Sequence, residues 1–267
     1  VTLAAPTTLN LQDAPYQLFC GDVLEQLAAL RGQKFNLIIS SPPYNIGKDY
    51  EKDSRRTLRE YIDWQKEVLS RIYDLLEDNG SICWQVGSYV KNEIYVPLDM
   101  AMYGVFDELG FKLRNRIIWR FNFGHNYDKR FSGRYETLLW LTKSDEFKFN
   151  LNSVRIPQIY PGKRHSASKG PRKAGLPSGN PLGKNPSDFW EFSAQRDFVE
   201  NPIWDLPNVK ANHPEKTAHT CQFPIELAER CVLAFTDEGD RVLDPFIGVG
   251  SSGLTATEES RSGFRFA

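Results

Sequence analysis

The stretch Phe35-Asn36-Leu37-Ile38-Ile39-Ser40 is a continuous, mostly apolar run of strand length, and it is followed by a helix and a second such run. Leu58, Tyr61, Ile62, Leu69, Ile72, Tyr73 and Leu76 recur at helical spacing as far as Asp78-Asn79-Gly80, and Ser81-Ile82-Cys83-Trp84-Gln85-Val86 is the next strand. A strand apolar on both faces belongs in the middle of a parallel sheet, where helices cover both sides. The alternation extends along the chain. Tyr16 to Cys20 reads as a short strand ending at Gly21-Asp22, and Leu24, Leu27, Ala28 and Leu30 form the apolar face of a helix. A helix is expected over 97–109, a strand pair over Phe111–Phe121 and Tyr135–Thr142, a helix over Pro224–Phe235, a strand over Arg241–Asp244 and a helix from about Ser251. The predicted fold class is α/β, a doubly wound sheet covered on both faces.

The pattern breaks from about 151 to 210, where prolines, glycines and basic residues show no periodicity. A segment of this length inside a compact domain is usually functional or disordered. The formal net charge of the chain is −1, yet residues 151–187 hold seven Lys or Arg (Arg155, Lys163, Arg164, Lys169, Arg172, Lys173, Lys184) and no acid, which leaves −8 for the rest. A basic segment on an acidic body suits a local phosphate contact; a solvated loop is the alternative.

At 267 residues with 40% hydrophobic and 25% charged positions, the chain reads as one elaborated globular domain. No apolar run approaches the roughly 20 residues needed to span a bilayer, and no signal peptide is visible. An intracellular location is expected, the cytoplasm or nucleoid if the source is bacterial, with no membrane partner. Cys20, Cys83, Cys221 and Cys231 lack paired spacing, so buried free thiols are expected and a zinc site is not. The chain begins at Val1 and stops inside an expected strand at Arg265-Phe266-Ala267, which reads as a fragment.

Two segments carry chemistry. Asp244-Pro245-Phe246-Ile247-Gly248-Val249-Gly250 follows an apolar strand and precedes a helix beginning Ser251-Ser252, the setting in which glycines let a backbone approach a nucleoside cofactor. Asp244 could accept a hydrogen bond from a cofactor ammonium group; a tight turn with no ligand is the alternative. Ser41-Pro42-Pro43-Tyr44 ends the Phe35–Ser40 strand. Its hydroxyl and a proline-fixed carbonyl could accept hydrogen bonds from an exocyclic amine, freeing the nitrogen lone pair, while Tyr44 could stack on a base rotated out of a duplex.

In this order the two motifs resemble the permuted amino-methyltransferases of DNA that use S-adenosylmethionine (SAM). Further stretches extend the resemblance: Gly21-Asp22 and its helix, Arg134-Tyr135-Glu136-Thr137-Leu138-Leu139-Trp140, Gly183-Lys184-Asn185-Pro186-Ser187-Asp188-Phe189-Trp190 and His219-Thr220-Cys221-Gln222-Phe223-Pro224-Ile225-Glu226-Leu227. Protein glutamine methyltransferases with Asn-Pro-Pro-Tyr place the glycine motif first, the reverse of this chain. The resemblance implies a Rossmann-like methyltransferase sheet, mostly parallel with an antiparallel terminal strand, plus an irregular target-recognition insert. It divides the chain into a catalytic half (1–150), the insert (151–210) and a SAM-binding half (211–267). Catalysis falls to Ser41, Pro42, Pro43 and Tyr44. The SAM contacts are Asp22, Phe223, Pro224, Asp244, Phe246, Gly248, Gly250 and Ser251. The seven insert cations would grip double-stranded DNA, with His165, Asn180 and Asn185 as further candidate readers.

In the family that the chain resembles, serine at the first motif position mostly accompanies cytosine N4 methylation and Asp or Asn adenine N6, so the resemblance implies cytosine N4 over adenine N6. Cytosine C5 is excluded by the lack of a Pro-Cys dipeptide. No metal is implied. A homodimer and a cognate restriction nuclease stay open as partners. RNA is a weaker target, and a non-catalytic nucleic-acid binder on a methyltransferase scaffold is the alternative from a different class.

Overall fold

The computed structural model of the chain describes residues 8–9, 16–48, 51, 56–121, 124, 126–191, 223–248, 250–258 and 262–266. In order the elements are β1 (Thr8–Leu9), β2 (Tyr16–Phe19), α1 (Val23–Ala29), β3 (Phe35–Ser40), α2 (Leu58–Leu75), β4 (Leu76–Val86), β5 (Ser88–Lys91), β6 (Ile94–Pro97), α3 (Leu98–Glu108), β7 (Lys112–Arg120), β8 (Tyr135–Thr142), β9 (Phe189–Glu191), α4 (Ile225–Phe235), β10 (Arg241–Asp244), α5 (Ser251–Glu258) and β11 (Ser262–Phe266).

Nine strands form one sheet in the order β1-β2-β11-β10-β3-β4-β8-β7-β9. From β2 to β4 all neighbours are parallel, as the buried β3 sequence predicts. The reversal comes at β8, which is antiparallel to both β4 and β7 and lies inside the sheet. Helices cover both faces. Ile38, Trp84 and Leu139 pack with Tyr61, Leu69 and Ile72 of α2 and Met102 and Phe106 of α3. Leu37, Ile39, Cys83, Leu138 and Trp140 pack with Leu227, Val232 and Phe235 of α4 on the other face. Alternate residues of each strand thus feed alternate cores.

Helix α2 begins with a capping box: the Thr57 hydroxyl accepts from Glu60 N at 3.2 Å, and Glu60 Oε2 accepts from Thr57 N at 2.7 Å. That backbone hydrogen bond holds the Glu60 carboxyl below its ordinary range. The helix stops earlier than its periodicity suggests. Strand β4 starts at Leu76, and pairing with β3 jumps from Phe35–Leu76 to Leu37–Ser81. Asp78-Asn79-Gly80 is an excursion within the strand rather than the helix end. Gly80 makes it possible, since a Cβ there would lie 2.9 Å from the Asn36 carbonyl oxygen.

The β5–β6 hairpin has no counterpart in the sequence reading. Its turn places Asn92 (φ 51°) and Glu93 (φ 63°) in the left-handed region, a conformation usually signalled by glycine. Cys83 and Cys231 are buried as expected, but Cys20 is exposed because it follows the end of β2; Cys221 lies outside the described residues. No described helix is long and apolar enough to cross a membrane.

Candidate functional site

Strands β2, β10, β3 and β4 run in one direction, so the residues that follow them, Asp22, Pro245, Ser41 and Gly87, lie along a single edge of the sheet. This is the carboxyl edge, where open α/β sheets bind ligands. Both motifs singled out in the sequence meet there.

The first connection between them is a side-chain clamp. Ser40, the last residue of β3, donates to Asp244 Oδ1 at 2.5 Å across 204 positions of sequence. Asp244 is 1% exposed; it also accepts from Phe246 N at 3.0 Å and from the Ser252 hydroxyl. Its carboxylate therefore joins the Gly-rich turn and the first turn of α5 to the strand that presents Ser41. Phe246 is wedged edge-on between Trp64 (centroids 5.7 Å) and Trp84 (6.1 Å), so α2 and β4 also shape the turn. Gly248 (φ 56°) and Gly250 (φ 92°) both adopt the left-handed region, where a side chain would strain the backbone. Ser251, buried at the start of α5, donates to the Phe223 carbonyl oxygen at 3.4 Å; Phe223 is buried, and Pro224 is the N-cap of α4. Asp22 is exposed and caps α1 by accepting from Leu24 N (2.9 Å) and Glu25 N (3.3 Å).

The second connection runs from the proline motif to β8. The Ser41 hydroxyl donates to Tyr44 Oη at 3.1 Å, and Tyr44 Oη donates to Glu136 Oε2 at 3.1 Å. Gln85 Nε2 donates to the same oxygen at 2.6 Å. Gly87 leaves room for the tyrosine ring, since a Cβ at that position would lie 2.9 Å from Tyr44 Cε2. Pro42 is buried and Pro43 half-buried, which fixes the intervening backbone. The following loop is held by Glu51, 3% exposed, whose carboxylate accepts from the backbone N–H groups of Asn45 (2.7 Å), Gly47 (2.7 Å) and Lys48 (3.0 Å).

Ser40, Glu51, Gln85 and Gly87 are absent from the residues the sequence singles out. Glu136 stands there only within a quoted strand motif. Their local sequence carries no signal of a site: each gains its place from a partner on another element. Glu51 is the exception, as its reach back over three to six residues is a local turn.

The basic segment lies apart from these contacts in character. Lys163, Arg164, Lys169, Arg172 and Lys173 are exposed; Arg155 and Lys184 are half-buried. Arg155 turns inward, donating to Asn152 Oδ1 (2.8 Å) and to the Gly183 carbonyl oxygen (3.0 Å). Arg164 also donates to a carbonyl oxygen, that of Gly175, at 2.6 Å. The segment is folded on itself by backbone pairs, Ile156 with Lys184 and His165 with Leu176 and Gly175. Its helical content among the described residues is two short 3-10 turns, Leu151–Val154 and Ala167–Lys169, and β9 then returns the chain to the sheet beside β7.

A doubly wound sheet with a reversed strand, carrying both motifs at its carboxyl edge, defines the class, and comparison with known families identifies it. Residues 35–264 match the N6/N4 family described as DNA methylase, and the chain belongs to that family. It is 42% identical over 246 residues to the type II methyltransferase M.BglII of Bacillus subtilis, a match covering 92% of this chain and 63% of that protein. The chain thus spans less than two thirds of that relative's length. Among solved structures the fold is similar to PvuII DNA methyltransferase, described as cytosine-N4-specific, with TM-score 0.69 and 20% identity over 95% of this chain and 82% of the other. It is also similar to a Thermus thermophilus protein complexed with S-adenosyl-L-methionine, at TM-score 0.57 and 23% identity over 92% and 85% of the two chains. At such identities these two structures establish the fold, including its antiparallel strand.

Proposed function

We propose that the chain is a SAM-dependent methyltransferase that modifies the exocyclic N4 amine of cytosine in a specific sequence of double-stranded DNA, acting on a flipped base. The observation that carries this reading is the Ser40–Asp244 hydrogen bond, 2.5 Å long, which holds the Gly-rich turn and the Ser-Pro-Pro-Tyr motif as one unit at the sheet edge. The turn suits SAM: two left-handed glycines leave its backbone bare beside the start of α5, and Asp22 lies exposed on the same edge. Asp22, Phe223, Pro224, Phe246, Gly248, Gly250 and Ser251 would hold the cofactor. Because both Asp244 oxygens already receive hydrogen bonds, its first role is to set the turn. SAM supplies an electrophilic sulfonium methyl group when bound.

The chain's own part is to present the amine. The Ser41 hydroxyl oxygen and the Pro42 carbonyl accept its N–H hydrogens, which favours a tetrahedral nitrogen with an available lone pair. Their preorganisation by the proline pair is the electrostatic contribution. The Tyr44 ring, fixed through its hydroxyl, provides a stacking face for the flipped base. Exposed Lys163, Arg164, Lys169, Arg172 and Lys173 would meet the phosphates, with Lys184 and Arg155 shaping the insert. In this reading residues 1–150 and 211–267 are halves of one catalytic domain and 151–210 recognises the target. A cognate restriction nuclease would cut the unmodified sequence.

Serine at position 41 favours cytosine, and the family spans N4 and N6 chemistry, so adenine N6 is the competing target. Isotope-labelled SAM with unmethylated genomic DNA, followed by nucleoside mass spectrometry, separates them. Labelled N4-methylcytosine is expected. Labelled N6-methyladenine would overturn the choice of base and leave the chemistry standing; no labelled nucleoside would overturn both.

A further inference from the structure

We propose that Glu136 is the terminal acceptor of the proton that the target amine must lose, reached from Ser41 through Tyr44. The inference rests on the methyltransferase reading above and adds to it a residue and a proton path.

The chemistry requires such a path. When the amine nitrogen forms its bond to the methyl carbon, the electron pair of the broken sulfur–carbon bond goes to sulfur, and the nitrogen becomes cationic unless it releases a proton. Ser41 is the hydroxyl placed for that amine, but a serine cannot keep an extra proton. It needs an acceptor behind it. The donor order in the structure runs outward from Ser41: its hydroxyl donates to Tyr44 Oη (3.1 Å), which donates to Glu136 Oε2 (3.1 Å). As the amine proton passes to Ser41 Oγ, the serine proton moves to Tyr44 Oη and the tyrosine proton to Glu136. One proton is transferred in net, both hydroxyls are restored and the carboxylate ends as a carboxylic acid.

Among the described residues, the other acidic groups named at this edge have other partners. Asp244 binds Ser40, Ser252 and Phe246 N; Glu51 binds three backbone N–H groups; Asp22 caps α1. Among the described residues, Glu136 is the carboxylate that the Ser41 hydroxyl reaches through a continuous donor chain.

Gln85 supports the assignment. Its Nε2 donates to Glu136 Oε2 at 2.6 Å, while its Oε1 is buried with no hydrogen-bond partner among the described residues. An amide carries a donor and an acceptor on one rotatable group. In the orientation seen it serves the ionised carboxylate. Turned over, it would offer Oε1 to the hydroxyl of the protonated acid. The residue beside Glu136 can therefore hydrogen-bond to it both before and after it receives the proton.

The test uses the whole chain, an oligonucleotide duplex containing the target sequence, and Glu136→Gln and Tyr44→Phe. Glu136→Gln keeps an oxygen that can accept from Tyr44 and Gln85, so a merely structural role would survive it. The expected result is a fall in single-turnover rate of about 100-fold or more for both variants, the usual range for a lost general base. SAM affinity by calorimetry, melting temperature and flipping of a 2-aminopurine target should stay at wild-type values. The wild-type rate should decline on the acid side, and Glu136→Gln should lack that limb. A Glu136→Gln rate within about threefold of wild type, with the acid limb intact, would overturn the relay while leaving the methyltransferase reading in place. A wild-type chain that binds no SAM and methylates no DNA would overturn the functional reading and the relay with it.

Discussion

At the carboxyl edge of the sheet, side chains bind side chains from distant parts of the sequence: Ser40 with Asp244, Tyr44 with Glu136, Gln85 with Glu136. In the 151–187 segment the bonds run mainly from backbone to nearby backbone, such as His165 N to Leu176 O and Ser178 N to Lys163 O, and five of the seven cationic side chains are left exposed. The contrast matches the roles proposed above for the two regions. Proton transfer and charge stabilisation need donors and acceptors held within a few tenths of an ångström, and only packing on a rigid scaffold provides that. A phosphate contact tolerates reach and variation, so a self-supported loop bearing flexible cations suffices.

Asp244→Ala tests this contrast most severely. It would leave the Ser40 and Ser252 hydroxyls and Phe246 N without their shared acceptor in a buried place. The expected cost is roughly 3 kcal/mol in denaturant unfolding, from unsatisfied buried polar groups, together with loss of SAM binding in calorimetry. Wild-type stability and affinity in that variant would show that the two motifs are held together by something other than the carboxylate.

The triple change Lys169→Ala, Arg172→Ala, Lys173→Ala should do the opposite. Stability should move by no more than about 0.5 kcal/mol, as for exposed sites in general. DNA affinity should weaken, and the slope of log affinity against log salt should flatten by about 0.9 for each phosphate that is no longer neutralised. An unchanged slope would remove these residues from the DNA surface. Arg155→Ala, in the same segment, should act through stability instead. Its bonds to Asn152 and Gly183 predict a stability loss of about 1 kcal/mol with little change in salt slope.

The smallest effect concerns thiol reactivity. Burial, with Cys231 as neighbour, pushes the Cys83 thiol well above its ordinary range, whereas Cys20 is exposed. An alkylating reagent at neutral pH should label Cys20 in the native protein and reach Cys83 and Cys231 only after unfolding, as peptide mapping would show. Native labelling of Cys83 would indicate that the sheet opens there more readily than its packing implies.

How far the sequence could be read differs from element to element. Strands β3 and β10 and helix α2 were accessible because each carries its own pattern: a continuous, mostly apolar run, a strand leading into glycines, an amphipathic face. The β5–β6 hairpin was not, because Asn92 and Glu93 turn the chain without a glycine. The end of α2 was misplaced because Asp78-Asn79-Gly80 has the composition of a helix stop and is instead accommodated by a register jump against β3.

Local sequence dictates the alternating α/β architecture, the two motifs and the basic segment, since periodicity and turn chemistry act over a few neighbouring residues. Which side chains join the two motifs follows from strand order. Glu136 reaches Tyr44 because β8 pairs antiparallel to β4, setting Thr137 opposite Val86 where the strand leads into Gly87. Asp244 meets Ser40 because β10 lies next to β3. Such pairings depend on strand order and register, which arise from burying both faces of a sheet at once, and local sequence does not encode them.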